Sequence, residues 1–242
     1  MCSSDLIRTR FGYANQLYTS LHLGNPTLRL EKLGCPGETT ATMMKGGICK
    51  YADKSQLAQA AAFLQAHAGH VQLVTIDIGA NDLNPCLALT SLPKLVACLN
   101  KVIPQAAKNL GTILGTLRKF DPKGKIIGMA YYDPELADWL KGTKAARTFA
   151  QDSIALAEGF NGALGAAYKA FSVPVANVFK AFGSALFKQH STLPAFGVLP
   201  RDVALICSYT WECAAPPVGP NEHANILGYG LIANTFLTTD LG

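Results

Sequence analysis

Val71-Gln-Leu-Val-Thr-Ile-Asp-Ile78 is a run rich in β-branched and aliphatic residues, and it stops at Gly79-Ala-Asn-Asp82. A short run of this kind, ended by a glycine, reads as a strand buried within a sheet. On its amino side, Ser55 is placed to cap a helix reaching about His67, with Leu57, Ala61 and Leu64 on one face. On its carboxyl side a long helical stretch runs from about Leu92 to Lys119, with an interruption expected at Pro104. Lys125-Ile-Ile-Gly-Met-Ala-Tyr131 is the next strand. A helix is expected over 148–171, a strand over 173–178 broken early by Pro174, and a last helix over 226–237. Ahead of the quoted run, 12–23 has helical periodicity and 27–33 alternates as a strand. Strands and helices alternating at this spacing predict an α/β domain, a parallel sheet with helices on both faces. In such sheets ligands bind at the loops beyond the carboxyl ends of the strands.

The 242 residues suffice for one full-sized α/β domain. Charged residues make up 15% of the chain, against roughly 25% in an average soluble protein. The net charge of +5 is spread along the sequence without a run of five basic residues, which speaks against a nucleic-acid surface. No apolar stretch approaches the ~18 residues that a membrane-spanning helix needs. Six of the seven cysteines fall into close pairs, Cys35/Cys49, Cys86/Cys98 and Cys207/Cys213, leaving Cys2. No Cys-x-x-Cys or Cys/His cluster suggests a metal site. Three short-range disulfides of an oxidising compartment explain the pattern, with buried free thiols as the alternative. Met1-Cys-Ser-Ser-Asp-Leu-Ile-Arg8 has no apolar signal-peptide segment. Disulfides without an export signal lead to the expectation that the chain given lacks its start.

Three strand-end loops carry groups suited to chemistry. Leu33-Gly-Cys-Pro-Gly-Glu-Thr-Thr40 offers the backbone N–H of Gly37, and Gly79-Ala-Asn-Asp82 offers the Asn81 amide. Pro220-Asn-Glu-His-Ala-Asn225 places His223 in a loop before the last helix. A backbone N–H and an amide suit an oxyanion, and an imidazole suits a general base. Each also has a structural reading: a turn glycine, an Asx-turn asparagine and an exposed loop histidine.

Taken as an ordered set, these blocks resemble those of the SGNH/GDSL-type serine ester hydrolases. Gly34-Cys-Pro-Gly-Glu-Thr39 resembles the glycine block, Gly79-Ala-Asn-Asp82 the asparagine block, and His223 with the helix after it the histidine block. Tyr131-Tyr-Asp-Pro134, Gly12-Tyr-Ala-Asn-Gln-Leu17 and the paired cysteines resemble secreted bacterial members. The resemblance covers roughly residues 11–240. It implies a three-layer α/β/α, flavodoxin-like fold, with 1–10 as a leader outside the family and 11–242 as the hydrolase domain. It implies Gly37 and Asn81 as the oxyanion hole, His223 as the base, an ester or lipid substrate, and neither metal nor organic cofactor.

Two departures stand out. No Gly-Asp-Ser occurs, so the first central strand and its nucleophile are expected to be missing. Ser3 and Ser4 have no strand to position them, and no nucleophile is identified. Where many relatives carry an aspartate before the histidine, this chain has Pro220 and Asn221. A backbone carbonyl, Asn221 or Glu222 remains open as the partner of the imidazole. The expected function is a secreted bacterial esterase or lipase. The alternative is a non-catalytic relative that binds acyl or glycan ligands. His22, His67, His70 and His190 are assigned to helices or helix ends, Asp82 to loop stabilisation, and Phe160, Phe171, Phe179, Phe182 and Phe187 to the core or an acyl pocket.

Overall fold

The computed structural model describes residues 11–89 and 91–241. The leader over 1–10, and with it Ser3 and Ser4, lies outside the described residues. The elements run α1 (Tyr13–Gly24), α2 (Thr40–Lys45), α3 (Gln56–Ala66), β1 (Val74–Ile76), α4 (Asn84–Leu87), α5 (Leu92–Phe120), β2 (Ile126–Ala130), α6 (Lys144–Ala170), β3 (Val175–Asn177), α7 (Val178–Ala181), β4 (His190–Leu193), β5 (Gly197–Pro200), α8 (Arg201–Tyr209) and α9 (Ile226–Leu241). Short 3₁₀ turns cover Ala80–Asp82 and Pro134–Lys141. The strand order is β1-β2-β3. β1 and β2 pair in parallel, with Val74 opposite Ile126 and Ile76 opposite Gly128. This helix-rich arrangement around a parallel sheet fits the α/β/α, flavodoxin-like class. Among the described helices none is long and apolar enough to cross a membrane.

The chain divides into two compact units, one of residues 31–129 and 162–175, the other of 11–30, 130–161 and 176–241. In the first, the core is built on β2, whose Ile126 and Ile127 are fully buried. Gly128 is glycine for a packing reason. The Tyr168 ring lies so close over the strand that a Cβ at this position would sit 2.3 Å from it. The buried Tyr168 hydroxyl reaches the Ile76 carbonyl at 3.4 Å. On the far side of β2, the Gly128 N–H donates to the Pro174 carbonyl at 2.9 Å. α5 contributes Leu95, Leu99, Ala106, Leu110, Ile113, Leu114 and Leu117 from one face. In the second unit α1 packs on α9 through stacked Tyr13 and Phe236 rings, 5.0 Å apart. Three disulfides close short loops, Cys35–Cys49, Cys86–Cys98 and Cys207–Cys213.

Several expectations need correction. The segment 27–33 forms no ladder, because no strand among the described residues pairs with it; its Leu33 carbonyl instead accepts the Tyr51 hydroxyl at 2.6 Å. The strand expected over 71–78 is regular only over Val74–Ile76, where Ile126–Gly128 face it. α5 runs unbroken through Pro104. Pro104 and Asn100 are both exposed, so the carbonyl that loses its helical donor faces water rather than the core. His190 opens a strand of an antiparallel hairpin, β4–β5, rather than ending a helix. Phe160 and Phe182 are core residues.

A buried acidic set in the second unit makes stability depend on pH. Asp133 is 3% exposed, accepts the Ser153 hydroxyl at 2.6 Å, and has its pKa raised by burial to about 6. Burial likewise raises Asp202 to about 6, and burial followed by repulsion from Asp133 raises Glu135 to about 7. Each group binds its proton more tightly folded than unfolded. Its stabilising effect is therefore complete below about pH 4 and lost as the pH rises through about 6 to 7. Thermal unfolding should show a lower Tm at pH 8 than at pH 5, with a shallower dependence in Asp202→Asn; a Tm that climbs across this window would contradict the assignment.

Candidate active site

Gly37 occupies the third position of a Cys35–Glu38 turn closed by the Glu38 N–H on the Cys35 carbonyl, 3.3 Å. Its φ of +78° is the left-handed conformation that such a turn demands after proline. The Cys35–Cys49 bridge anchors the turn on one side. On the other, Thr39 caps α2 through a reciprocal bond pair with Thr42. Among the described residues the Gly37 N–H donates to no protein acceptor, which leaves it for a ligand.

The asparagine block meets this turn directly. Asn81 Nδ2 donates to the Glu38 carbonyl at 3.0 Å, one residue from Gly37. Asn84 Nδ2 donates to Asn81 Oδ1 at 3.2 Å, so the amide is held from both ends and its second N–H remains for another acceptor. The two loops are clamped by Asp82. One carboxylate oxygen accepts the Thr40 N–H at 2.8 Å and the other accepts the Thr40 hydroxyl at 2.6 Å. Behind it the buried Asn109 amide donates to the Thr40 hydroxyl at 2.9 Å, and Gln105 donates to Asn109 at 2.8 Å. Charge-assisted bonds of this kind are the strong ones, and here they join residues far apart in the chain. Glu38, which the sequence did not single out, is 2% exposed and neither of its carboxyl oxygens completes a hydrogen bond. Burial raises its pKa, and the Thr42 side chain opposes the rise.

His223 belongs to the second unit, in the loop between α8 and α9. Asn221 forms an Asx turn with it: the His223 N–H donates to Asn221 Oδ1 at 2.9 Å. The ring Nδ1 lies 2.5 Å from the same oxygen. An oxygen cannot donate, so Nδ1 carries the proton and a neutral ring keeps a bare Nε2. Of the three partners the sequence left open, Asn221 is the one that meets the ring. Glu222 is 62% exposed and only 3.8 Å away at its closest.

The loop around His223 is fastened at several points. Trp211 N–H donates to the His223 carbonyl at 3.0 Å, and Asn221 N–H to the Trp211 carbonyl at 3.2 Å. Asn225 holds the Ser208 carbonyl at 2.8 Å, and the Cys207–Cys213 bridge closes the turn beneath. Tyr132, just past β2, donates to the Glu222 carbonyl at 2.7 Å. Burial pushes this phenol far above its ordinary pKa, so it remains a donor. The Tyr131-Tyr-Asp-Pro134 motif was the only sequence hint of this role. Among the described residues no three His, Cys, Asp or Glu side chains gather to hold a metal ion.

Residues 4–198 match the GDSL-like Lipase/Acylhydrolase family; the match includes the Gly37 and Asn81 loops and ends before His223. No curated protein matches the chain. Among solved structures the chain is similar to the crystal structure of phospholipase A1 from Streptomyces albidoflavus NA297, at 14% identity, covering 85% of this chain and 89% of that one with a TM-score of 0.48. With well over half of its length matched, this chain belongs to the GDSL-like lipase/acylhydrolase family.

Proposed function

We propose that this chain carries the oxyanion hole and the general base of a secreted bacterial esterase or lipase that cleaves carboxylic esters through a serine acyl-enzyme. The Gly37 N–H and the second N–H of Asn81 hold the oxyanion of the tetrahedral intermediate. His223 Nε2 takes the proton of the attacking hydroxyl and later returns one to the leaving alcohol. Tyr132 and Asn221 are positioning residues that hold the imidazole and its tautomer. The observation that carries the reading is the Asn81–Glu38 bond, which brings an amide donor beside the turn whose glycine N–H is unused. Three disulfides support export.

The reading assigns the nucleophile to no described serine, and Gly-Asp-Ser occurs nowhere in the sequence. On a short-chain aryl ester, purified chain should therefore show only the rate that an oxyanion hole supplies, on the order of 10³–10⁴ over water. Ser3→Ala and Ser4→Ala should leave that rate unchanged. Asn81→Ala should lower it by about 10²-fold, the usual loss of one oxyanion donor. Robust turnover abolished by both His223→Ala and Ser4→Ala would overturn this and make Ser4 the nucleophile. The tautomer has its own test, independent of turnover. Nitrogen-15 spectra of the neutral His223 ring should give a protonated, pyrrole-type Nδ1 and a pyridine-type Nε2; the reverse assignment would remove His223 as base.

A further inference from the structure

Directly after the Asn81 loop, the first unit carries an apolar shelf that packing does not account for. Leu87 is 39% exposed, Leu89 37%, Leu92 51% and Val96 37%. Pro85, Ala88, Pro93 and Ala97 lie exposed among them. Four large apolar side chains so close together, within a ten-residue span, exceed the scattered exposure expected of a surface. The cause is visible in α5. Leu95 and Leu99 are buried, while Leu92 and Val96, on neighbouring positions toward its amino end, are exposed. The Cys86–Cys98 disulfide staples the α4 turn to this end of the helix, with a Cα separation of 5.5 Å. The Asn84–Asn81 bond joins the shelf to the oxyanion-type loop.

Along the segment that carries the shelf, the charge is of one sign. Between Leu83 and Phe120 there is no Asp or Glu, whereas Lys94, Lys101 and Lys108 recur at heptad spacing and are all exposed. An apolar tip with basic residues on the remaining face is the pattern of an element that lies in a lipid interface and is drawn to acidic headgroups.

We propose that this shelf, Leu87, Leu89, Leu92 and Val96 with Lys94 and Lys101 beside it, docks the protein on an anionic phospholipid surface. The inference rests on the ester-hydrolase reading for its purpose: the ester is taken from a lipid aggregate, with the shelf at the membrane and the Asn81 loop next to it. Rigid attachment through the disulfide means that little ordering accompanies docking.

The test is co-sedimentation of the full chain with vesicles, either phosphatidylcholine alone or phosphatidylcholine mixed with phosphatidylglycerol. Binding should favour the mixed vesicles and weaken with added salt. Leu89→Glu and Val96→Glu, each on the exposed shelf, should lower partitioning by about tenfold or more, since one inserted aliphatic side chain contributes at least that much. Lys94→Glu should erase the preference for the mixed vesicles. The melting temperature of each variant, unchanged from the parent, excludes misfolding. Partitioning is read without hydrolysis, so loss of the esterase reading and loss of the docking surface give different results. No binding by the parent chain, or equal binding by the leucine and valine variants, would overturn the proposal. So would a dimer in solution that Val96→Glu dissociates, because a second copy would then cover the shelf.

Discussion

The carboxylate of Asp82 accepts both the N–H and the hydroxyl of Thr40, and the placement of the Asn81 loop against the Gly37 turn depends on that pair of bonds. Without it, the loop after β1 and the loop before α2 share no covalent or ladder constraint. With it, Asn81, one residue earlier, is brought to the Glu38 carbonyl beside the Gly37 turn. The clamp is backed by Asn109 and Gln105 from α5, a helix fixed independently by its buried leucines. Local turn chemistry thus supplies the conformation of each loop, and one polar network, buried at Thr40 and Asn109, supplies their relative position. Networks of this kind are favourable only when every member is satisfied, as it is around Thr40.

The second unit solves a different problem by related means. An aspartate before the histidine would orient the ring and also stabilise its charged form. Asn221 supplies only the first of these. Its oxygen is committed to acceptor duty by the His223 N–H, and this alone decides which ring nitrogen is protonated. A neutral amide in this place selects the Nδ1–H tautomer and gives less electrostatic support to a charged ring than a carboxylate would. Tyr132, placed by the end of β2 and held as a phenol by burial, steadies the carbonyl of the neighbouring Glu222. Asn81 follows β1 and Tyr132 follows β2, so each lies in a loop beyond the carboxyl end of a parallel-sheet strand.

Much of this was legible in the sequence because it rests on local chemistry. Pro36-Gly37 announces a turn, Ser55 announces a helix start, and the cysteine spacing announces three short loops. Helix faces such as Leu57, Ala61 and Leu64 follow from period alone. What was not legible depends on partners distant in the chain. Residues 27–33 have strand alternation, but alternation cannot supply a neighbour to pair with. Pro104 looked like a break because its exposure is a tertiary fact. The choice among Asn221, Glu222 and a backbone carbonyl turns on the loop's dihedral angles, which short-range sequence does not encode. Glu38 is buried by packing, and nothing in Gly-Glu-Thr signals it.

The central claim is that the Asp82–Thr40 bonds hold the Gly37 and Asn81 loops together. A double-mutant cycle on unfolding free energy, with Asp82→Ala, Thr40→Ala and the pair, tests it most directly. Hydrogen bonds to a charged group contribute about 1.5–3 kcal/mol, so a coupling of roughly 1–3 kcal/mol is expected, part of the bonding being retained by the Thr40 backbone. Effects that add to within about 0.5 kcal/mol, as for independent sites, would contradict the account.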